Sequence, residues 1–178
     1  MRKLFKKNIR LGILGGTFDP PHRGHLHISK IALKKLKLNK LIWIVTKKNP
    51  LKKKPYLKIK TRIKLAKKIT NKEKKIFVQY FDNKIKSNNT FDLLNYLKIK
   101  QKKTKLFFLI GADNLIKFHR WNNWKKIPEL AKIVVFPRDN HLIRKNKYIV
   151  TKSLKKKDLI YINSKKVNIS SSLIRKFW

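Results

Sequence analysis

Cysteine is absent from all 178 residues. That removes disulfides, thiolate metal centres and thiol nucleophiles, and makes the cytoplasm the expected compartment. Acidic side chains are nearly as scarce, with eight Asp and Glu against 49 Lys and Arg for a formal net charge of +41. Long apolar runs are missing too. The longest, residues 41–45 and 106–110, have five residues each, far short of the ~20 that a membrane-spanning helix needs. Residues 1–10 are basic with no apolar stretch behind them, so no signal peptide is expected. The length suits one domain, residues 1–178, with a core of ordinary size.

A charge of this size ordinarily points to nucleic acid or an anionic membrane. Its distribution argues otherwise. Only eight of the 49 basic residues are Arg, and the lysines are spread over every segment in runs of at most three. Proteins that read a nucleic-acid groove concentrate charge in one stripe, with Arg at the contacts. Neither a specific nucleic-acid partner nor a membrane is therefore expected. The field would still steer small anionic substrates in a salt-dependent way and bind RNA weakly without selectivity.

What is present is concentrated at Gly15-Gly16-Thr17-Phe18-Asp19-Pro20-Pro21-His22-Arg23-Gly24-His25-Leu26. A short apolar segment precedes it, of the kind that makes a first buried strand. After it Leu26, Ile28, Ile31, Ala32, Leu33 and Leu36 recur at helical spacing. A helix start presents unpaired backbone N–H groups and partial positive charge to whatever lies in front of it, which suits phosphate. Gly15 and Gly16 lack a Cβ, so unusual dihedrals and close ligand approach are expected there. His22 and His25, three residues apart, can point the same way and donate N–H groups to a polyphosphate, and Gly24 between them leaves room. Surface caps and a simple glycine turn remain the plainer alternative for such a short motif.

Apolar runs at 10–14, 41–45, 76–80, 106–110 and 133–136 alternate with helical or loop stretches, a pattern of parallel strands with helices on both faces. A sixth run at 159–162 reads as a strand or an edge segment. Helices are expected over 25–37, 61–69, 91–100, 124–131 and 171–177. Gly111 follows the fourth strand as Gly15 follows the first, so both turns would face one crevice at the strands' carboxyl ends.

The segment G-G-T-F-D-P-P-H-x-G-H-L resembles the signature of the H-x-G-H nucleotidyltransferase superfamily, and in full that of bacterial nicotinate-nucleotide adenylyltransferases. Three further segments agree. Gly111-Ala112-Asp113-Asn114-Leu115 with Phe118, Trp121 and Trp124 resembles the family's G-A-D-N-L motif and tryptophan pair. Ile169-Ser170-Ser171-Ser172-Leu173-Ile174-Arg175 resembles its closing I-S-S-T-x-I-R, and residues 46–52 its loop after the second strand. The resemblance spans about residues 10–176 and implies an α/β fold, a Rossmann-like doubly wound parallel sheet of about five strands with helices on both faces.

The activity so implied is transfer of AMP from ATP to nicotinate mononucleotide, releasing pyrophosphate and giving deamido-NAD. No protein nucleophile is needed, because the acceptor's phosphate oxygen attacks the α-phosphorus in line. By resemblance, His22 and His25 stabilise the transition state, while Gly16, Thr17 and Phe18 cradle the nucleotide. Gly111, Asp113, Ser171, Ser172 and Arg175 would complete the ATP site, Asp113 at the ribose. From spacing alone, Ser171 or Ser172 serves equally as a helix cap and Asp113 as a cap before Asn114. Trp121 would stack on the nicotinate ring and Trp124 belong to the core. The family's Tyr-Thr pair at the nicotinate carboxylate falls on Asn89 and Thr90, so the tyrosine is missing. Lys52 and Arg62 match basic family positions, with Lys52 near a phosphate. Mg²⁺ is expected to ride on the triphosphate, without protein side-chain ligands. No oligomeric state follows from the sequence.

Two other readings stay open. Another enzyme of the superfamily, such as a pantetheine-phosphate adenylyltransferase, would share the fold and a serine-rich closing motif. A basic RNA-binding protein on an inactive nucleotidyltransferase fold would share only the charge and the architecture.

Overall fold

The computed structural model describes residues 9–49, 51, 53–136, 150, 153–163 and 169–178. Six strands form one sheet: β1 Arg10–Gly16, β2 Lys40–Val45, β3 Ile76–Gln79, β4 Lys105–Gly111, β5 Ala131–Phe136 and β6 Leu159–Tyr161. Their order is β3-β2-β1-β4-β5-β6, with all five neighbouring pairs parallel. This is a doubly wound α/β sheet of Rossmann type, with the direction of winding reversing between β1 and β4. The 159–162 run is a true sixth strand, pairing Ile133 with Leu159 and Val135 with Tyr161.

Alternation along the strands builds two cores, because successive side chains point to opposite faces. Leu11, Ile13, Ile44, Phe108 and Val135 face one layer, where Leu93, Leu94 and Leu97 of helix α4 (Thr90–Lys100) close over them. Leu14, Trp43, Val45, Leu109 and Val134 face the other, covered by Ala32 of α1 (Arg23–Lys35) and Ala66 of α2 (Ile59–Thr70). Strands buried on both faces explain why the sequence shows short continuous apolar runs rather than clean alternation.

Several boundaries differ from expectation. The first helix runs from Arg23 to Lys35 rather than over 25–37, because His22 caps it and Lys37 turns left-handed at φ 46°. The region 124–131 is not one helix: a 3₁₀ turn at Trp124–Lys126 leads into α6 (Ile127–Leu130), and Ala131 already belongs to β5. Short helices α3 (Asp82–Ile85) and α5 (Ala112–Ile116) were invisible to periodicity, having barely one turn each. The chain closes on α7 (Ser171–Ile174) and a 3₁₀ turn, Arg175–Phe177. Among the described residues no helix is long and apolar enough to cross a membrane.

Candidate active site

The carboxyl ends of β1 and β4 open into two clefts that share walls. The larger, about 630 Å³, takes in His22, His25, Gly111, Asp113, Ser171 and Arg175. The smaller, about 350 Å³, takes in Thr46, Asp82, Asn89, Thr90, Phe108 and His119. Gly15, Gly16, Asn49 and Trp121 line both.

The histidine pair is fixed by the start of α1. His22 is the N-cap, its Nδ1 accepting the Gly24 N–H at 3.1 Å, while His25 Nδ1 accepts the His22 N–H at 3.2 Å. The two imidazoles thus do what Ser and Glu do in a capping box. An imidazole that accepts at Nδ1 carries its proton on Nε2, so both rings present an Nε2–H donor. Their rings lie in contact, tilted by 36° with centroids 3.8 Å apart. No acidic side chain occupies the first turn of α1, which leaves the positive end of the helix dipole for an anion. Gly24 is required by space, since a Cβ there would come within 2.9 Å of the His22 ring and 3.2 Å of Ile169.

Beneath the histidines lies an aromatic shelf. Phe18, 2% exposed, stacks on Trp43 at 5.0 Å and supports His25 at 4.8 Å. Trp43 donates its Nε1–H to Ser29 Oγ (2.8 Å), which in turn donates to the His25 carbonyl (2.7 Å). Replacing Ser29 by alanine leaves the buried indole N–H unpaired. It is expected to lower stability by about 1–3 kcal/mol, read as an earlier urea midpoint with an unchanged slope.

The glycine expectation needs correcting. No described glycine has positive φ, and Gly15 and Gly16 lie in extended backbone at the end of β1. The left-handed residue of the turn is Phe18, at φ 49°, a conformation that buried ring packing must sustain. What the glycines supply is space: the nearest atom a Cβ at either would meet is an aromatic ring carbon at 3.6 Å, ordinary contact distance, and both residues line the clefts.

The closing serines divide their work differently from expectation. Ser170, not Ser171 or Ser172, caps α7, accepting the Leu173 N–H at 3.1 Å. Ser171 Oγ donates to the Pro20 carbonyl at 2.8 Å, tying this helix to the turn before His22. Ser172 Oγ accepts from Arg175 at 3.2 Å. Replacing Ser170 by alanine is expected to cost about 1 kcal/mol through the lost cap, read by thermal unfolding. Arg175 also hydrogen-bonds the Asp19 carbonyl, pairs with the Asp19 carboxylate at 3.7 Å and lies over the Tyr56 ring. Five guanidinium N–H donors are not exhausted by these contacts. Asp113 stands in the first turn of α5, whose N-cap is Gly111 rather than Asp113 itself.

In the smaller cleft Trp121 packs against Phe108 and Phe118, with centroids at 5.9 and 5.1 Å, so it is a braced wall rather than a loose loop side chain. Trp124 is half-buried against the core instead of within it. Asn89 and Thr90 form the N-cap and first residue of α4, bringing that helix start to the cleft. Asn89 bonds Asp92 at 3.4 Å, and Ser87 bonds both the Asn89 N–H and Asp92. Asp82 accepts the Lys47 N–H at 2.7 Å. Burial pushes its carboxyl above the usual range, opposed by that hydrogen bond. Lys52 lies outside the described residues. Lys48 lines the smaller cleft, and Lys53 and Lys54 the larger. Arg62, the other basic match, is not at a cleft surface at all: it is buried and bonds four backbone carbonyls.

The model of the cytidylyltransferase-like family matches residues 13–177. A relative from Pelagibacter ubique (strain HTCC1062), described as a probable nicotinate-nucleotide adenylyltransferase, is 48% identical over 173 residues, covering 97% of this chain and 96% of its own. The chain belongs to the nicotinate-nucleotide adenylyltransferase family. A second family member, from Ruegeria sp. (strain TM1040), is 39% identical over 72% of this chain and 67% of its own. In architecture the chain is similar to the nicotinic acid mononucleotide adenylyltransferase of Plasmodium falciparum complexed with NaAD. The TM-score is 0.72 at 20% identity, over 95% of this chain and 83% of that one.

Proposed function

We propose that this protein transfers AMP from ATP to nicotinate mononucleotide, giving deamido-NAD and pyrophosphate. The observation that carries this reading is the pair of clefts meeting at Gly15, Gly16, Asn49 and Trp121, with the two histidines on the larger one. Each substrate then has its own compartment, and the reacting phosphates meet at the seam.

ATP belongs in the larger cleft. Its triphosphate lies before the α1 N-terminus, with Ser171, Ser172 and Arg175 across from His22 and His25, and its ribose lies at Asp113 and Gly111. The acceptor belongs in the smaller cleft, with the pyridine ring on Trp121 and the carboxylate at the start of α4, where the Thr90 N–H is the backbone donor, the Asn89 N–H being held by Ser87. An acceptor phosphate oxygen attacks the α-phosphorus, and the bond from that phosphorus to the pyrophosphate oxygen breaks in the same step. Charge gathers on the α-phosphate and on the departing pyrophosphate, where the Nε2–H groups of His22 and His25 donate without rearranging. Gly16, Thr17 and Phe18 form the turn under that centre. Mg²⁺ enters with ATP as part of the substrate, since hard cations prefer phosphate and water oxygens.

Two measurements test this. Incubation with Mg-ATP and nicotinate mononucleotide is expected to yield deamido-NAD and pyrophosphate in equal amounts. Exchange of labelled pyrophosphate into ATP without the acceptor is expected to be absent; its appearance would mean a covalent adenylyl-enzyme and contradict direct attack.

A further inference from the structure

Arg62 is the most deeply buried charge among the described residues, its contacts reach several segments of the site, and it lines neither cleft. It is 2% exposed, on the inward face of α2. Its guanidinium bonds the carbonyls of Thr17 (2.5 Å), Thr46 (2.7 Å) and Lys47 (3.1 Å), and its Nε that of Leu57 (3.0 Å). Thr17 belongs to the turn after β1. Thr46 and Lys47 follow β2, where Thr46 lines the smaller cleft. Leu57 ends a strap whose residues Lys53 to Tyr56 line the larger cleft. Asp19 holds the same strap from the other side, its two carboxylate oxygens accepting the Tyr56 and Leu57 N–H groups at 2.9 Å each. Burial lowers the guanidinium's hold on its proton, and Asp19 and Asp82 oppose that effect.

We propose that Arg62 is a positioning residue for the adenylyl transfer: with Asp19 it locks the turn after β1, the loop after β2 and the 53–57 strap into one frame, and so fixes the two clefts relative to one another. A planar, always-charged guanidinium fits this task because its donors fan out to carbonyls from three directions. Lysine has a single nitrogen and cannot span them. Stability alone would not require two of the four acceptors, Thr17 and Thr46, to come from the walls of different clefts. In-line attack does, because displacing the reacting atoms by about 1 Å costs about 10²-fold in rate.

The role rests on the transfer reaction proposed above, and R62K tests it by two readouts at a temperature where the variant is folded. First, kcat is expected to fall about tenfold or more, with the KM of each substrate changed less than about threefold, the signature of lost alignment rather than lost binding. Second, amide hydrogen exchange of residues 53–58 is expected to speed up while the strands of the sheet keep their protection. D19N, which weakens the strap's other anchor, is expected to reproduce both changes and serves if R62K does not fold. A kcat within about twofold of wild type, or an unchanged exchange rate over 53–58, would overturn the proposal. The exchange readout needs no acceptor. A wild type inert with nicotinate mononucleotide would therefore count against the reaction, and the strap's exchange would still decide the clamp.

Discussion

Replacing His22 by alanine is expected to lower kcat by about 10²–10³-fold, the usual loss when one preorganised donor to a developing oxyanion is removed. The structure gives His22 a second duty, because its Nδ1 caps α1 while the residue lines the larger cleft. Alanine removes both, so about 1 kcal/mol of stability should go with the activity. Asparagine separates the two duties: it is among the best N-caps and has no Nε2–H. The asparagine variant is therefore expected to unfold near the wild-type midpoint yet turn over as slowly as the alanine variant. Activity near wild type in either variant would remove the proposed role of the imidazole, whatever the stability.

The second large effect concerns Trp121. With its indole removed, the KM for nicotinate mononucleotide is expected to rise about 10- to 100-fold, corresponding to the ~1–3 kcal/mol that stacking a heterocycle on an aromatic side chain provides. The KM for ATP should change much less, although Trp121 borders both clefts. Because the ring is braced by Phe108 and Phe118, alanine will also loosen packing. Phenylalanine keeps an aromatic face and should recover most of the affinity. Equal increases in both KM values would mean that the wall had collapsed rather than that a stacking partner was lost.

The parts of this architecture legible in the sequence are those whose signal is local. Four of the six strands are short, doubly buried apolar runs. The H-x-G-H segment lies where a strand pattern gives way to a helix pattern, so its clustering at the cleft followed from position alone. Contacts far apart in sequence were not legible. Asp19 meets Tyr56 and Leu57, and Ser171 meets Pro20, at sequence separations of 37 to 151. No periodicity encodes such pairs. Capping by a histidine was the plainer alternative that the motif left open, and His22 does cap α1; the left-handed turn escaped because it falls on Phe18 beside two glycines that do not need it.

Arg62 had a readable signal. In a chain where eight of 49 basic residues are Arg, it shares a four-residue stripe with Ala66 and Thr70, the buried residues of α2, while Lys60, Lys64, Lys67 and Lys68 occupy the exposed face. An arginine on the apolar stripe of a lysine-coated helix marks a buried guanidinium, which must be satisfied by hydrogen bonds. Which carbonyls it would meet depended on the loops, and those the sequence did not specify.

The substitution of asparagine for the family's tyrosine at position 89 makes acceptor choice the sharpest test of the whole account. The measurement is pyrophosphate release from Mg-ATP at physiological salt with nicotinate mononucleotide, nicotinamide mononucleotide or phosphopantetheine as the acceptor. A kcat/KM clearly highest for nicotinate mononucleotide is expected, with the backbone at the start of α4 meeting the carboxylate. Turnover with phosphopantetheine alone, or with none of the three, would contradict it.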